Sequence, residues 1–385
     1  MLSSPVLVIG AGPAGLAVAA SLGRRGIRAV VLERADAVGA SWRRHYERLH
    51  LHTTRRWSGL PGYAIPRRFG RWVARADVVD YLEQYAAHHG IEVRTGVAVT
   101  RIARGDDGEW MLETESGEIF SSPTVVIATG YNHTPVPPQW PGVERFPGEL
   151  LHASDYRNAA PYRGKDVLVV GAGNTGAEIA VDLTEGGASR VRLAIRTAPH
   201  IVRRSNLGWP AQGTGILVRH LPVRVVDRIA AVTARLEVPD LSAYGLPRPT
   251  TGLYSRVMEG SVPLQDVGLI AGVQARRIEP VAAVESFDDD GGVLLADGSR
   301  VTPDVIIAAT GYRRGLEPLV GELAVLDERG LPRVHGPRTS ASAPGLYFTG
   351  YTNPISGMFR ELRIDADRIA GAIARSAGNR AARTS

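Results

Sequence analysis

The sequence of 385 residues contains no cysteine. That absence excludes a disulfide framework, a thiolate nucleophile, a cysteine-ligated iron–sulfur cluster and a dithiol redox pair. The ten histidines do not stand at metal-ligand spacings backed by carboxylates. The sequence therefore predicts no metal site.

Lysine is almost as scarce, since Lys165 is the only one, and arginine carries nearly all of the positive charge. A GC-rich coding sequence explains such a bias, although arginine also suits anionic phosphates, which it binds in a bidentate manner. The net charge is +6, but the arginines are scattered along the chain rather than gathered into one stripe. This distribution argues against a nucleic-acid partner.

Long hydrophobic runs are also missing. No stretch of about 18 consecutive apolar residues occurs, so we predict no transmembrane segment. The N-terminal apolar run lacks a basic region before it and is interrupted by GAGPAG. It therefore predicts a strand, a turn and a helix rather than a signal peptide, and we expect a cytoplasmic protein.

Two stretches of the chain nearly repeat each other: residues 6–19 read VLVIGAGPAGLAVA and residues 167–180 read VLVVGAGNTGAEIA. Each is a strand pattern that breaks into Gly-x-Gly-x-x-Gly, continues as a helix pattern and is followed by a second strand pattern. The first glycine allows a tight turn, the second lets a pyrophosphate approach the backbone, and the third lets the helix pack on the strand. The sequence therefore predicts two dinucleotide-binding units.

The residue after the second strand of each unit distinguishes the two nucleotides. Glu33 can accept hydrogen bonds from ribose hydroxyls, whereas Arg196 suits a 2′-phosphate, and Arg203 and Arg204 could assist it or be solvated. The pattern indicates FAD in the first unit and NADPH in the second, with a hydride passing from NADPH to a flavin that can react with oxygen. Flavin disulfide reductases carry the same two loops but need cysteines, so they are excluded.

The predicted fold is α/β, with two Rossmann-like dinucleotide-binding domains, the NADPH domain being inserted into the FAD domain. We assign residues 1–156 and 316–385 to the FAD domain, because the C-terminal stretch has strand and helix patterns but no loop of its own. Residues 157–315 form the NADPH domain. Within it, residues 199–265 look irregular except for a helix near 223–236, apolar on one face and basic on the other. That helix could lie on a membrane surface or cap the active site, and we favour the cap.

Residues 146–156 read FPGELLHASDY and match the fingerprint Phe-x-Gly-x-x-x-His-x-x-x-Tyr/Phe of class B flavin-dependent monooxygenases. Residues 39–62 are similar to the flavin-contacting segment of that family, ATGY at 309–312 to its second linker motif, and GLYFTGYTN at 345–353 to its returning FAD-domain strand. The chain thus resembles this family over nearly its whole length. Baeyer–Villiger members typically place tryptophan at the position of Tyr156, which favours the branch of flavin-containing monooxygenases, N-hydroxylases and YUCCA-type enzymes.

The resemblance implies a reaction cycle. NADPH reduces FAD, NADP⁺ stays bound, oxygen adds at flavin C4a as a (hydro)peroxide, and one oxygen atom passes to a small organic substrate by N- or S-oxidation or hydroxylation. A Baeyer–Villiger or keto-acid-decarboxylating reaction of the indole-3-pyruvate type remains an alternative, as does an NADPH oxidase or flavin reductase. A flavin-binding regulatory module without turnover is disfavoured by the two intact loops, and a homodimer stays open.

Three side chains near the expected flavin have more than one interpretation. Animal flavin-containing monooxygenases carry an asparagine beside the flavin, and His52 takes that place here, as a histidine does in the YUCCA type. His52 is thus our candidate catalytic residue, the alternatives being a packed core histidine or a ribityl contact. For Trp42 the resemblance implies stacking near the isoalloxazine, and the alternatives are core packing or a role in a lid. For His152 it implies a hinge role more than proton transfer.

The loops and the resemblance together give the candidate cofactor-binding residues. For FAD they are Gly10, Gly12, Pro13, Ala14, Gly15, Glu33, Arg34, Ser41, Trp42, Leu51, His52, Thr53, Val97, Ala128, Thr129, Gly130 and Gly350. For NADPH and the linker they are Gly171, Gly173, Asn174, Thr175, Gly176, Arg196, Thr310, Gly311 and Tyr312.

Overall fold

The structure is a computed structural model that describes residues 5–384, except for the side chains of 379–384. Its backbone contacts divide the chain into two compact units. Unit 1 consists of the described parts of Met1–Arg43, Thr53–Thr134 and Tyr312–Ser385. Unit 2 consists of Arg44–His52 and Pro135–Gly311.

Unit 1 is built on a five-stranded parallel sheet. In spatial order its strands are Leu346–Phe348, Val125–Ile127, Val6–Ile9, Ala29–Leu32 and Glu92–Arg94. The central strands are continuous apolar runs because both of their faces are buried. One face, which includes Leu7, Leu32 and Ile127, packs on Ile102 and Trp110 of a second sheet.

That second sheet of unit 1 is antiparallel and has three strands, Val99–Arg104, Trp110–Thr114 and Ile119–Ser122. Helix Pro13–Gly23 packs against the parallel sheet and against helices Arg75–His88 and Met358–Thr384. The shorter helices of this unit are Ala40–Arg44, Arg55–Ser58, Arg67–Phe69, Glu317–Val320 and Gly321–Leu323, the first of which ends at the start of unit 2.

Unit 2 repeats the architecture with another five-stranded parallel sheet. In spatial order its strands are Glu279–Ala282, Arg190–Ile195, Asp166–Val170, Val305–Ala308 and Glu149–His152. Helix Asn174–Glu185 packs on this sheet. Residues 135–156, assigned from sequence to the FAD domain, lie in unit 2 because strand Glu149–His152 pairs with strand Val305–Ala308.

The rest of unit 2 surrounds this sheet. An antiparallel sheet is formed by Val284–Phe287, Val293–Leu295 and Arg300–Val301, and short helices are Val143–Arg145 and Ala160–Tyr162. Residues 199–265 are more regular than their sequence indicates. They contain the paired strands Ile201–Arg203 and Leu264–Asp266, the hairpin strands Ser205–Asn206 and Trp209–Pro210, and the helices Ala211–Val218, Val223–Glu237, Ser242–Tyr244 and Leu253–Met258. Helix Leu269–Gln274 follows.

The predicted fold class is confirmed, since two parallel sheets of Rossmann type are present. The patterns at residues 6–19 and 167–180 correspond to strands Val6–Ile9 and Asp166–Val170, each followed by a helix, while the helix predicted near 223–236 is Val223–Glu237. Short strands Thr134–Pro135 and Tyr312–Arg313 lie where the chain passes between the units. None of the helices in the described part of the chain is long and apolar enough to cross a membrane.

Candidate functional site

The outer two glycines of the first loop are required by the fold itself. Gly10 has a φ of +104°, and a Cβ atom there would lie 2.6 Å from the carbonyl oxygen of Ala128. A Cβ atom on Gly15 would lie 2.0 Å from the carbonyl oxygen of Gly10. The middle glycine, Gly12, is different, because its Cβ atom would meet no protein atom within 4 Å and its φ of −82° suits any residue. Packing does not require glycine there, whereas close contact between the backbone and a bound diphosphate would.

The second loop shows the same division. Gly171 has a φ of +113° and a Cβ atom there would lie 2.6 Å from the carbonyl oxygen of Ala309. A Cβ atom on Gly176 would lie 1.9 Å from the carbonyl oxygen of Gly171, and one on Gly173 would meet nothing within 4 Å. Both loops therefore keep open the space that a phosphate group needs beside their middle glycine.

The helices that follow the loops leave their first N–H groups available. Helix Pro13–Gly23 begins after Gly12, and helix Asn174–Glu185 begins after Gly173, and neither has a side-chain cap. Free N–H groups and the helix dipole together favour an anion at each N-terminus. The two loops thus fit the diphosphate groups of two dinucleotides.

Glu33 is held at the first loop. One carboxylate oxygen accepts a hydrogen bond from the N–H group of Ala11 at 2.7 Å, and the other accepts one from Ala35 at 3.0 Å. The N–H group of Val97 donates to the carbonyl oxygen of Glu33 at 2.9 Å. The Glu33 side chain is nearly buried, and each of its oxygens retains a lone pair that a ribose hydroxyl could use.

Other predicted residues of unit 1 gather around the same loop. Ala128 adjoins Gly10, and a Cβ atom on Gly350 would lie 3.3 Å from the Cβ atom of Ala14. Thr129 is held by its neighbour Tyr351, since their hydroxyl oxygens are 2.8 Å apart. Sequence reasoning missed Tyr351, which lies one position after Gly350 in the motif at 345–353.

Three further predicted residues of unit 1 have side-chain partners of their own. Trp42 meets Phe359 edge to face with ring centroids 5.8 Å apart, and the guanidinium of Arg34 lies 3.1 Å from the Nε2 atom of His133. Thr53 exchanges a hydrogen bond with Ser58, their hydroxyl oxygens being 2.7 Å apart.

Arg196 directly follows the second strand of unit 2 and is exposed. No hydrogen bond or ion pair joins it to another side chain in the described part of the chain. It lines a surface cavity of about 390 Å³, together with Gly245, Pro280 and Asp297. A guanidinium without a protein partner, beside a cavity at the carboxyl end of a strand, is suited to bind a phosphate group.

Leu51 and His52 belong to unit 2, where they contact residues that sequence reasoning did not place there. The carbonyl oxygen of Leu51 accepts a hydrogen bond from the guanidinium of Arg204 at 2.5 Å. The Nε2 atom of His52 lies 3.1 Å from a carboxylate oxygen of Glu178, which is 3% exposed. The other oxygen of Glu178 accepts a hydrogen bond from the Tyr46 hydroxyl at 3.0 Å.

Burial shifts the proton affinities of this group of side chains. It raises the pKa of Glu178 from 4.5 to about 7, although the Tyr46 hydrogen bond and the charges of Arg204 and Arg48 act in the opposite direction. It lowers the pKa of His52 from 6.5 to about 4, and the neighbouring Arg204 and His50 contribute to the same direction. Burial also lowers the pKa of Arg204 to about 10. The environment thus favours a protonated carboxyl group and a neutral imidazole.

The two ring nitrogens of His52 differ in their hydrogen-bond partners. A hydrogen bond between Nε2 and Glu178 needs one proton, which either group can carry. The other ring nitrogen, Nδ1, is buried and has no hydrogen-bond partner in the described part of the chain. Leaving a buried polar atom without a hydrogen bond costs about 1–3 kcal/mol. A bound molecule that forms a hydrogen bond with Nδ1 would remove this cost and bind more tightly.

The fingerprint residues of 146–156 have structural partners within unit 2. Phe146 packs on Phe287 at 5.7 Å between ring centroids, and a Cβ atom on Gly148 would lie 2.4 Å from the carbonyl oxygen of Asp304. The fully buried Tyr156 donates its hydroxyl proton to Asp182 at 2.6 Å. These contacts fasten the segment to the sheet and to helix Asn174–Glu185.

His152 has both ring nitrogens engaged. Its Nδ1 atom accepts a hydrogen bond from the N–H group of Ser154 at 3.0 Å, so its Nε2 atom donates to the carbonyl oxygen of Gly311 at 3.2 Å. Burial lowers the pKa of His152, which favours this neutral form. Because Gly311 is the last residue of unit 2, the ring holds the end of that stretch of the chain.

Two predicted residues of unit 2 bind protein atoms through their side chains. The Asn174 amide donates to the carbonyl oxygen of Pro263 at 3.1 Å and accepts from the N–H group of Gln265 at 2.7 Å. The Thr310 hydroxyl donates to the carbonyl oxygen of Val136 at 2.5 Å. These bonds hold both side chains in place, while the second N–H of the Asn174 amide and the lone pairs of the Thr310 hydroxyl keep their capacity for hydrogen bonding. Tyr312 begins the last stretch of unit 1.

Comparisons with known proteins agree with this geometry. Residues 7–208 match a family model described as pyridine nucleotide-disulphide oxidoreductase. The indole-3-pyruvate monooxygenase YUCCA1 of Oryza sativa subsp. japonica is 36% identical over 351 residues, which cover 90% of this chain and 86% of the relative.

Two solved structures share the fold. A mutant of a flavin monooxygenase from Stenotrophomonas maltophilia has a TM-score of 0.72 and 24% identity, covering 96% of this chain and 99% of the other. Cyclohexanone monooxygenase from Rhodococcus sp. Phi1 bound to NADP⁺ has a TM-score of 0.70 and 21% identity, covering 98% of this chain and 86% of the other.

We predict that Gly12→Ala releases FAD without unfolding the protein. A Cβ atom at residue 12 meets no protein atom, so the free energy of unfolding of the FAD-free protein should change by less than about 1 kcal/mol. The same atom should block the diphosphate and weaken FAD binding at least about tenfold, or about 1.4 kcal/mol. Flavin absorbance per protein and urea unfolding of the FAD-free form measure the two effects.

Two matched variants complete this test. Gly173→Ala should keep FAD and lose NADPH affinity, whereas Gly15→Ala should destabilise the FAD-free protein because its Cβ atom would lie 2.0 Å from a carbonyl oxygen. If Gly12→Ala retained FAD as the unchanged protein does, the middle glycine would not serve a diphosphate.

We also predict that the two single substitutions in the His52–Glu178 pair change the pH dependence of stability in opposite directions. Glu178→Gln leaves His52 with its lowered pKa, so the unfolded state binds more protons between pH 4 and 6.5 and stability rises with pH. His52→Gln leaves Glu178 with its raised pKa, so the native state binds more protons between pH 4.5 and 7 and stability falls with pH. In the unchanged protein the two effects nearly cancel where these ranges overlap.

The measurement is urea unfolding with constant excess FAD at two pH values inside the overlap. Each variant should change by about 1–2 kcal/mol relative to the unchanged protein, with opposite signs, since the slope is at most about 1.4 kcal/mol per pH unit. The other groups that face the pair, Tyr46, Arg48, His50, Asp182 and Arg204, are the same in both variants. Parallel pH profiles would show that His52 and Glu178 do not have the opposite pKa shifts on which this prediction rests.

Proposed function

The chain belongs to the class B flavin-dependent monooxygenases, and we propose that it oxidises a small 2-oxo acid of the indole-3-pyruvate kind. It is an enzyme that uses FAD and NADPH to insert one atom of O2 into a small organic substrate. The observation that carries the choice of substrate is the 36% identity, over 90% of the chain, to an indole-3-pyruvate monooxygenase. Oxidation of nitrogen or sulfur, or hydroxylation, is the second candidate, and it comes from Tyr156 in the motif at residues 146–156, which favours the branch of flavin-containing monooxygenases, N-hydroxylases and YUCCA-type enzymes.

The proposed reaction is balanced in atoms and electrons. A 2-oxo acid, O2, NADPH and a proton give the acid shortened by one carbon, CO2, NADP⁺ and water. FAD, when bound, supplies the electron transfer to oxygen that amino-acid side chains cannot perform. The first loop, with Gly12 and Glu33, would hold FAD in unit 1, and the second loop, with Gly173, would hold the NADPH diphosphate in unit 2.

We assign Arg196 to the 2′-phosphate of NADPH. Its guanidinium has no ion-pair partner in the part of the chain that the structure describes, and it lines the cavity at the end of strand Arg190–Ile195. A planar guanidinium can give two parallel hydrogen bonds to a phosphate group.

We propose that Glu178 is a positioning residue that acts through His52. The carboxyl group orients the imidazole through Nε2, and Tyr46 holds the carboxyl group from its other oxygen. This arrangement keeps Nδ1 of His52 available to a bound molecule, as acceptor or donor according to which group holds the shared proton. A buried, preorganised group of this kind also excludes water from its neighbourhood, which limits wasteful formation of hydrogen peroxide.

We expect indole-3-pyruvate to stimulate NADPH oxidation, with one indole-3-acetate and one CO2 formed per NADPH. Amines, thioethers and simple ketones tested under the same conditions should give slower NADPH loss and a larger share of hydrogen peroxide. A sulfoxide or N-oxide formed faster than indole-3-acetate would contradict the proposed substrate class while leaving the monooxygenase activity intact. Hydrogen peroxide equal to NADPH consumed with every compound would favour the NADPH oxidase alternative.

Arg196→Gln should remove most of the preference for NADPH over NADH. Loss of a charge-assisted hydrogen bond costs about 1.5–3 kcal/mol, which corresponds to roughly 10–150-fold in the ratio of kcat/KM values. The control is Arg277→Gln, which removes another exposed arginine of unit 2. Steady-state kinetics with both nucleotides give the ratio, and an unchanged ratio in Arg196→Gln would mean that another residue binds the 2′-phosphate.

A further inference from the structure

Exposed apolar side chains are concentrated in one segment of unit 2. Ten of the twelve exposed large apolar residues in the described part of the chain lie between residues 207 and 262, and the other two are Ile119 and Leu150. Scattered apolar residues are normal on a protein surface, but a contiguous group of them marks a binding surface. The segment has no part in the loops that fit the two cofactors.

Four of these residues form a strip along helix Val223–Glu237, which we call the outer helix. Val225, Ile229, Val232 and Leu236 follow one another at spacings of four, three and four residues, and are 41%, 40%, 58% and 83% exposed. At 3.6 residues per turn these spacings place all four on one side of the helix. The helix contacts helix Leu253–Met258 and strand Ile201–Arg203, and its buried side includes Val226, which lies about 100° around the helix from Val225.

A row of arginines runs beside the apolar strip. Arg224, Arg228 and Arg235 are exposed and lie about 100° around the helix from Val225, Ile229 and Leu236, because each precedes one of them by one residue. The two carboxylates of the helix are turned inward. Asp227 accepts hydrogen bonds from the N–H groups of Tyr254 and Ser255, and Glu237 accepts one from Asn206. The exposed side of the helix is therefore apolar and positively charged.

A hairpin extends this surface at the end of the outer helix. Strands Ser205–Asn206 and Trp209–Pro210 are joined by a turn of Leu207 and Gly208, and Leu207 is fully exposed with a φ of +44°. Asparagine or glycine normally occupies such a position, because a leucine there is strained and gains nothing from burial. Trp209 beside it is half exposed.

The hairpin and the helix are joined to each other. The Asn206 amide donates to a Glu237 carboxylate oxygen at 2.7 Å, and the Arg203 guanidinium donates to the carbonyl oxygen of Glu237 at 2.7 Å. Leu207 therefore stands on the chain segment that is fastened to the end of the helix where Leu236 lies. Leu207 has an unfavourable backbone conformation and lies on a segment that two side-chain hydrogen bonds hold in place. A function other than stabilising the fold explains a leucine at this position.

We propose that the outer helix and the Leu207 hairpin bind the surface of an anionic lipid bilayer, in place of the cap over the active site that the sequence favoured for this helix. An amphipathic helix with arginines beside an apolar strip lies in the plane of a membrane interface, with the strip among the acyl chains and the arginines at the headgroup phosphates. Leucine and tryptophan at a hairpin tip add an anchor at the same interface. The association is peripheral, because no helix in the described residues can span a membrane.

A second copy of the chain fits this surface less well than a bilayer does. A symmetric dimer that buried one strip against another with the helices antiparallel would bring the two arginine rows together. The two carboxylates of the helix, Asp227 and Glu237, are already hydrogen-bonded to Ser255 and Asn206 and do not pair with these arginines. Phospholipid headgroups supply the missing negative charge.

The test is flotation of the full-length, FAD-loaded enzyme with lipid vesicles. Vesicles with about a third phosphatidylglycerol in phosphatidylcholine should bind the enzyme at about 0.15 M salt, and vesicles of phosphatidylcholine alone should bind it at least about tenfold less. FAD content and the rate of NADPH oxidation show that each variant is folded, and they are independent of vesicle binding.

Substitutions with matched controls locate the surface. Leu236→Ser and Leu207→Ser should each reduce binding to the anionic vesicles at least about tenfold, and Arg228→Gln about fivefold. Ile119→Ser and Arg276→Gln remove an exposed isoleucine of unit 1 and an exposed arginine of unit 2 outside this surface, and should change binding less than about twofold.

Three results would overturn the proposal. These are absence of flotation with the anionic vesicles, equal binding to both kinds of vesicle, and equal loss of binding in Leu236→Ser and Ile119→Ser. Light scattering is measured on the same samples. A dimer that Leu236→Ser converts to a monomer, without any vesicle binding, would identify a second copy as the occupant. None of these results depends on which substrate the enzyme oxidises.

Discussion

Both nucleotide units depend on one close approach between backbone atoms. In each loop the third glycine lies so near the carbonyl oxygen of the first that a Cβ atom would come within 2.0 Å of it. This approach places the start of the helix directly against the end of the strand, and the uncapped N–H groups of the first turn then converge on one point. The diphosphate site is thus a consequence of how tightly the strand, the turn and the helix pack, and the middle glycine only leaves it open.

Helix Asn174–Glu185 also holds other segments of unit 2 in place through its polar side chains. Asn174, Glu178, Asp182 and Glu185 share one stripe of the helix, and together they hold three other segments. Asn174 binds residues 263–265, Glu178 binds Tyr46 and His52, Asp182 binds Tyr156, and Glu185 pairs with Arg48. The helix that carries the second loop therefore also fixes residues 44–52 and the fingerprint motif, so a change in this stripe would disturb several predicted site residues at once.

The parts of the site that repeat a local motif were predictable from sequence. The two loops, Glu33 and Arg196 stand at fixed distances from a strand and a helix, and those distances follow from the geometry of one strand–turn–helix–strand unit. Glu178 and Tyr46 could not be found in this way, because no spacing relates position 46 to position 178. A signal was present for Glu178 alone: it is a carboxylate flanked by the apolar residues Ala177 and Ile179, in the buried part of the helix.

The sequence by itself determined the fold class, the two dinucleotide sites, the strand and helix bounds around them, and the exclusion of dithiol chemistry, since each of these is set by local pattern or by composition. Only the tertiary structure decided what His52 contacts, which side of the outer helix stays exposed, and that residues 135–156 pack with unit 2. Helical periodicity shows that an apolar face exists but not whether the rest of the protein covers it. Burial and proton affinity likewise depend on neighbours that lie far away along the chain.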